Sequence, residues 1–418
     1  MSKIKNYLKK TFVYKGYRYV KKLPRRIRNK VYKHYTLKIL YPSIYKKYAK
    51  RPVDENKVVF IEIRQPQISN SFKVLYDDLK EHYNFDIHEH FLRTTFVPRK
   101  EHMERCKAMI QDIADAKYVF LNEASNVVSS VPMRAETIQT QLWHGCGAFK
   151  KFGMSTADLI FGENRKNMLK YPFNKNYTYV TVSSPEVVWA YEEAMNIKPE
   201  ENIVRPVGNS RTDVFFDEQF IQAAREKLHE WMPQSKGRKV ILYAPTFRGR
   251  VAKASSPKCF DVEKFYTAFH DEYVLIFKHH PLVRKRPAIP EAFQEFAVDF
   301  TDTMTIDELL CVSDICISDY SSLVFEYSLF ERPMLFYAYD LEEYFDWRGF
   351  YYDYYELAPG PICTTNEEMI NYIKEIDTRF EKDKVVAFKE KFMSACDGHA
   401  TERIENMVFG EALKQHER

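Results

Sequence analysis

The sequence predicts an α/β fold: two doubly wound parallel-sheet domains facing each other across a cleft, with a basic N-terminal extension. Three observations carry this reading. Apolar runs of strand length alternate with segments of helical period from Val58 onward, and such alternation argues for parallel strands joined by crossover helices. The alternation falls into two sets, the second beginning near Asn202. Residues 1 to 50 stand apart from both, with 17 Lys or Arg and no Asp or Glu. The expected organisation is a basic segment over 1–55, a first α/β domain over 56–200 and a second over 201–418.

Gly16, Pro24 and Pro42 should break the extension into short helical pieces. Its cations are interleaved with Tyr14, Tyr17, Tyr32, Tyr35 and several aliphatic residues. That mixture suits an anionic membrane surface, with rings at headgroup level and each nearby cation contributing roughly 1 kcal/mol. A nucleic-acid backbone attracts the same residues, and a solvated leader is the third reading. Arg51 to Asn56 is a polar joint. Val58 to Ile63 reads as a first core strand, and Ser71 to His82 as a helix with Leu75 and Leu79 at i, i+4. Strands are expected at 86–91, 118–121, 138–143 and 178–183, then a helix from Pro185 to Met195 with proline in its first turn. In the second set, strands at 203–207, 240–244, 273–277, 315–318 and 334–337 alternate with helices at 218–231, 262–270, 306–312 and 323–330. Residues 387–414 are mostly helical and are expected to pack back across both domains.

At 418 residues the chain suffices for two ordinary domains, and its 45% hydrophobic content fits packed cores. No run reaches the roughly 18 to 20 apolar residues of a membrane span, and no apolar leader signals secretion. Seven cysteines without C-x-x-C spacing point to a reduced, cytoplasmic setting and away from zinc. Neither a P-loop pattern nor G-x-G-x-x-G occurs, which weakens P-loop and dinucleotide readings.

Four polar segments near strand ends hold the candidate chemistry. In Q-L-W-H-G-C-G-A-F-K (Gln141 to Lys150), His144 sits between Trp143 and Gly145. Its imidazole has a suitable pKa to take a proton from an attacking hydroxyl, and the glycines permit close approach. A histidine that only hydrogen-bonds a strand end is the plainer alternative. Lys150 and Lys151 follow and could face an anion, whereas nothing second supports Cys146 as a nucleophile. In K-H-H-P-L-V, Lys278 and His280 alternate along an extended segment, a pairing suited to a diphosphate. Thr246 and Arg248 follow an apolar strand, and Arg211 lies in G-N-S-R-T-D; arginine is the preferred bidentate partner of phosphate. Ser321 and Ser322 stand between a strand and a helix, where hydroxyls and first-turn N–H groups cradle anions. Glu326, one turn on, could accept ribose hydroxyls, and Asp319 could orient the loop. Serine as a simple helix cap is compatible with anion binding.

Together these segments resemble the CDP-glycerol glycerophosphotransferase family, the teichoic acid primases and polymerases. The family pattern W-H-G-T-P-x-K resembles Trp143 to Lys150, Y-A-P-T-[WF]-R resembles Tyr243 to Arg248, and H-P-L-V resembles His280 to Val283. The most specific stretches are Ser313 to Tyr327, Arg332 to Tyr344 and Arg348 to Asp353, with Asn70 to Tyr76 as an earlier likeness. Cys146 and Gly147 stand where the family pattern has Thr and Pro. The resemblance spans roughly residues 58 to 405. It implies a GT-B-like architecture, with an acceptor-side domain over 56–200 and a CDP-donor-binding domain over 201–418. It further implies transfer of glycerol phosphate or ribitol phosphate from a CDP-polyol to a hydroxyl of a lipid-linked saccharide or growing teichoic or capsular polymer, releasing CMP. By position, His144 would be the general base and His280 would hold or protonate the diphosphate. Arg211, Thr246, Arg248, Lys278, Ser321, Ser322 and Glu326 would bind the donor, supported by Trp143, Gly145 and Asp319. No cofactor and no metal ligand set is expected. Peripheral attachment to the inner face of the plasma membrane agrees with the basic extension. The rival readings are a GT-B glycosyltransferase using a nucleotide sugar and a basic nucleic-acid-binding protein.

Overall fold

Two six-stranded sheets, every pairing parallel, organise the chain. The computed structural model describes residues 12–160, 162–249 and 254–418. The first sheet contains β1 (Asp54–Glu62), β2 (Asp86–Phe91), β3 (Ala116–Leu121), β4 (Ile138–Gln141), β5 (Tyr179–Thr181) and β6 (Val204–Arg205), in the order β2-β1-β3-β4-β5-β6. The second contains β7 (Lys239–Tyr243), β8 (Tyr273–Phe277), β9 (Ala297–Asp299), β10 (Ile315–Ser318), β11 (Met334–Tyr337) and β12 (Ile362–Cys363), in the order β12-β11-β10-β7-β8-β9. Both sheets are doubly wound, as the alternation predicts. Each has a switch point, between β1 and β3 and between β7 and β10, and ligands of open α/β sheets bind outside the carboxyl ends of strands at such points.

The strand expected at 203–207 closes the first sheet rather than opening the second. Val204 pairs with Val180 of β5, so the second sheet starts only at Lys239. The two-residue β6 is an edge whose hydrophobic pattern is too short to declare its partner. The edge strands β9 and β12 escaped notice for the same reason.

The chain then returns. The helix Ala400–Val408 lays Ile404 and Val408 on the outer face of the first sheet, against Phe60, Phe72 and Phe120. On its way, the helix Lys382–Met393 stacks Phe388 on Phe325 at 5.0 Å. The C-terminal helices therefore strap the two sheets together, and one continuous apolar cluster runs through both inner layers.

The extension differs from expectation. Phe12–Tyr35 is one helix with Pro24 inside it, continuing through a π-helical turn (Thr36–Leu40) into the helix Tyr41–Tyr48, whose first turn holds Pro42. A proline costs one backbone hydrogen bond inside a helix and nothing in a first turn, so neither ends the rod. The first eleven residues of the predicted basic segment lie outside the described residues. The segment is also not wholly external. Leu37, Tyr41 and Tyr45 are buried in the first domain, where the Tyr45 hydroxyl accepts from the Arg134 N–H and Arg134 donates to the Arg51 carbonyl.

Removing residues 1–30 should leave the melting temperature within a few degrees of the full chain. Removing residues 1–50 strips three large core side chains, each of a class that costs about 2–5 kcal/mol when truncated, against a typical stability of about 5–15 kcal/mol. Thermal unfolding followed by circular dichroism should show a collapse of the transition for the second truncation alone. Equal melting temperatures would mean that Tyr41–Tyr48 is dispensable.

Candidate active site between the two sheets

β4 ends at Gln141, and the chain then turns sharply. The Gln141 side chain accepts from the Trp143 N–H at 3.0 Å, and Trp143 sits at φ 59°, a left-handed conformation rare for a bulky residue. The turn stacks the indole on the His144 ring at 4.5 Å. Behind it, a β-carbon on Gly145 would meet the Ser322 hydroxyl at 3.2 Å, and one on Gly147 would strike the Phe325 ring at 2.4 Å. The loop from one sheet thus lies directly on the helix start of the other, and at position 147 only glycine fits.

His144 Nδ1 lies 2.8 Å from the Asn122 carbonyl oxygen. A carbonyl can only accept, so the neutral ring carries its proton on Nδ1 and presents Nε2 as a lone pair. Asn122 is held in turn: its side-chain amide donates to Glu62 at 3.0 Å and to the Ser69 hydroxyl at 2.9 Å. Glu62, at the end of β1, is fully buried, and burial raises its pKa. The His144 ring is open to the cleft yet lies at its floor, crowded by protein atoms. That burial lowers its pKa, with Arg211 and Arg64 adding to the effect against the Asn122 bond.

His280 has the complementary tautomer. Its Nδ1 accepts the Leu282 N–H at 3.1 Å, which places the proton of the neutral ring on Nε2. Its pKa is pushed down to about 4, by burial first and then by Lys150 and Arg64. The residue nevertheless keeps an exposed face. His144 and His280 come from different sheets, yet both feel the Arg64 guanidinium. Arg64 itself pairs with Glu123 at 2.7 Å. One ring offers an acceptor and the other a donor about a shared positive charge.

The remaining predicted residues divide. Asp319 does orient its loop: its carboxylate accepts from the Thr246 N–H at 2.8 Å and the Tyr320 N–H at 2.6 Å. Thr246, Asp319, Ser321 and Ser322 all lie at the β7/β10 switch point. The Ser321 hydroxyl faces the first turn of Leu323–Ser328, while Ser322 is the cap residue and makes no side-chain capping bond. The Thr246 hydroxyl has no hydrogen-bond partner among the described residues.

Arg248 does not face the cleft with its charge free. It makes four hydrogen bonds, two to Asp340, one to Asp319 and one to the Thr246 carbonyl, inside a ring of Tyr320, Tyr339 and Tyr344. Lys278 also departs from expectation: its ammonium donates to the Thr301 and Met304 carbonyls, and burial lowers its pKa. Alternation along the strand places Lys278 and His280 on one side, but a loop folded over β8 claims the lysine. Arg211 and Glu326 come together behind His144 rather than beside Thr246. Arg211 donates to the His144 carbonyl at 2.9 Å and to Asp307, and lies 3.9 Å from Glu326, which is buried with a raised pKa from burial. Asp307 also accepts from Asn70 of the first domain. This group fixes the loop carrying His144 across the domain seam.

Residues that sequence reasoning passed over are Arg64, Glu62, Asn122, Asp307 and Asp340. Glu62 carried a signal, a carboxylate within the apolar run V-V-F-I-E-I. Arg64, Asn122 and Asp340 stand in polar segments after strands that give none, and Asp307 looks like an ordinary first-turn acid of the helix Ile306–Val312.

With this geometry in place, the comparisons are decisive for family. Residues 43–410 match the family described as CDP-glycerol:poly(glycerophosphate) glycerophosphotransferase. The chain belongs to that family. It is 35% identical over 374 residues to a teichoic acid poly(ribitol-phosphate) polymerase of Bacillus spizizenii, covering 88% of this chain and 58% of that protein. It is 34% identical over 361 residues to a teichoic acid ribitol-phosphate primase of the same organism, covering 85% of this chain and 92% of the primase. The chain thus spans little more than half of that polymerase but nearly all of the primase. The solved structure of the wall teichoic acid polymerase TagF superposes with a TM-score of 0.74 at 23% identity, covering 95% of this chain and 98% of that one. The arrangement of two doubly wound sheets about a cleft is GT-B-like, as the resemblance implied.

Arg248→Ala would leave Asp319 and Asp340 buried without their counter-charge, a loss of about 3–5 kcal/mol by analogy with broken buried pairs. Urea unfolding should show this directly. A variant of unchanged stability with only a raised donor KM would return Arg248 to donor binding.

Proposed function

We propose that the chain transfers glycerol phosphate or ribitol phosphate from a CDP-polyol to a hydroxyl of a lipid-linked saccharide or growing teichoic or capsular polymer, releasing CMP. The observation that carries this reading is the pair of opposite histidine tautomers, one at a strand end of each sheet and both under the influence of Arg64. The acceptor oxygen attacks the phosphorus that bears the polyol; a new O–P bond forms as the bond to the CMP oxygen breaks. His144 Nε2 takes the hydroxyl proton, and the CMP phosphate leaves with the bonding electrons. His280 is neutral at pH 7, so it holds the diphosphate by an Nε2–H hydrogen bond rather than by giving up a proton. Arg64 and Lys150 supply positive charge where the phosphoryl charge spreads. Ser321, Ser322 and the Thr246 hydroxyl receive the donor phosphates at the second switch point. The two ribitol-phosphate relatives favour CDP-ribitol as donor.

Purified protein should release CMP from CDP-ribitol or CDP-glycerol in the presence of acceptor, and UDP release from a nucleotide sugar instead would install the glycosyltransferase rival. His144→Ala should lower kcat by about 10²-fold or more while donor binding persists. The pH profile follows from the sign of the shift. Protonation removes the base, and burial of His144 lowers its pKa below 6.5, so kcat/KM should hold steady through pH 6.5 and fall only beneath it. An acid limb at or above pH 6.5 contradicts the assignment.

The extension supports a place on the membrane surface. Ile27, Val31, Tyr35 and Ile39 recur every fourth residue and are each about half exposed, forming an apolar stripe among Arg25, Arg26, Arg28 and Lys30. Full-length protein should sediment with anionic vesicles and be released as salt rises, since surface charge is screened beyond about 8–10 Å at physiological ionic strength. The 1–30 truncation should lose most of this binding. Undiminished salt-sensitive binding by the truncation, which lacks 12 of the 17 cations, would place the membrane-binding charge elsewhere.

A further inference from the structure

A second cavity, of about 640 Å³, opens in the first domain beside the cleft, within the size range of small-molecule sites. One wall is Trp143, the same indole that stacks on His144. Phe152 continues that wall, 5.1 Å from the indole, and Phe173 and Tyr177 also face the cavity. Asparagine amides and lysines are set among these rings, Asn174 and Lys38 included. Lys38 belongs to the N-terminal rod, next in sequence to Ile39 of the exposed stripe, and its ammonium lies 5.7 Å from the Tyr171 ring. The cavity therefore runs from the indole that stacks on His144 to the rod that carries the exposed stripe.

We propose that this cavity is the subsite for the saccharide of the acceptor. The inference rests on the transferase reading and adds to it the place of the sugar. An acceptor anchored in lipid must reach from the stripe to His144 Nε2, and the segment between its lipid and its attacking hydroxyl is the saccharide. Pyranose rings present C–H faces that pack on aromatic rings, and hydroxyls that pair with amides. A wall of Trp, Phe and Tyr with asparagines among them offers both. Lys38, on the rod side, meets the phosphate that joins sugar to lipid. The left-handed backbone at Trp143 has a role in this arrangement: it turns one indole so that its ring borders the base and the sugar together.

Phe173 and Leu169 suit a test, because both line the cavity and are partly exposed, 37% and 54%, so their replacement spares the core. Full-length Phe173→Ala and the mouth-narrowing Leu169→Trp are assayed with two acceptors on the same lipid, one carrying a disaccharide and one a polyol phosphate without sugar. The expected result is a KM for the disaccharide acceptor raised about tenfold, with less than a twofold change for the sugar-free acceptor and for the CDP-polyol. Equal effects on both acceptors, or none on either, overturn the subsite. Calorimetric titration with soluble hexose and N-acetylhexosamine disaccharides bearing a short alkyl diphosphate separates this proposal from the function on which it rests. Binding that Phe173→Ala weakens, in a protein that transfers no polyol phosphate, keeps the subsite and removes the transferase. Transfer with no disaccharide binding does the reverse.

Discussion

The bond from His144 Nδ1 to the Asn122 carbonyl is the contact on which the site's chemistry depends. It fixes the proton of the neutral ring on one nitrogen and leaves the other as an acceptor. Its geometry requires that the ends of β3 and β4 stay in register, and the parallel pairing of Leu121 with Gln141 supplies that. Glu62 at the end of the neighbouring β1 secures Asn122 from the far side. Three adjacent strand ends therefore act on one imidazole.

A second constraint is the seam between the sheets. Gly145 and Gly147 let the His144 loop lie against Ser322 and Phe325, and the Arg211, Asp307 and Glu326 group locks its backbone from beneath. The C-terminal helices then bridge both layers. With so much buried contact at the seam, the His144 loop and the switch-point loop of the second sheet form a prearranged unit. Charges and dipoles held in this way need little reorganisation when a charged group arrives.

The lowered pKa values of both histidines fit that arrangement. Crowded, cation-flanked surroundings disfavour a further positive charge. Arg64 serves both rings, and its own partner Glu123 keeps the guanidinium near the strand ends. Arg248 illustrates the opposite use of arginine. Its charge is paired with Asp319 and Asp340, so it shapes the loop that carries Thr246.

By itself the sequence determined the periodicities, and with them ten of the strands, the two doubly wound sheets and the segments bearing His144, His280 and the Ser321–Ser322 pair. Local alternation and strand-end polarity are written in consecutive residues, so they can be read there. Tertiary structure decided what depends on partners far along the chain. It assigned β6 to the first sheet, drew Leu37, Tyr41 and Tyr45 into the core, and sent Lys278 to two carbonyls and Arg248 to two carboxylates. It also chose the two histidine tautomers, because a ring nitrogen's proton is set by whichever acceptor or donor the fold brings to the other nitrogen.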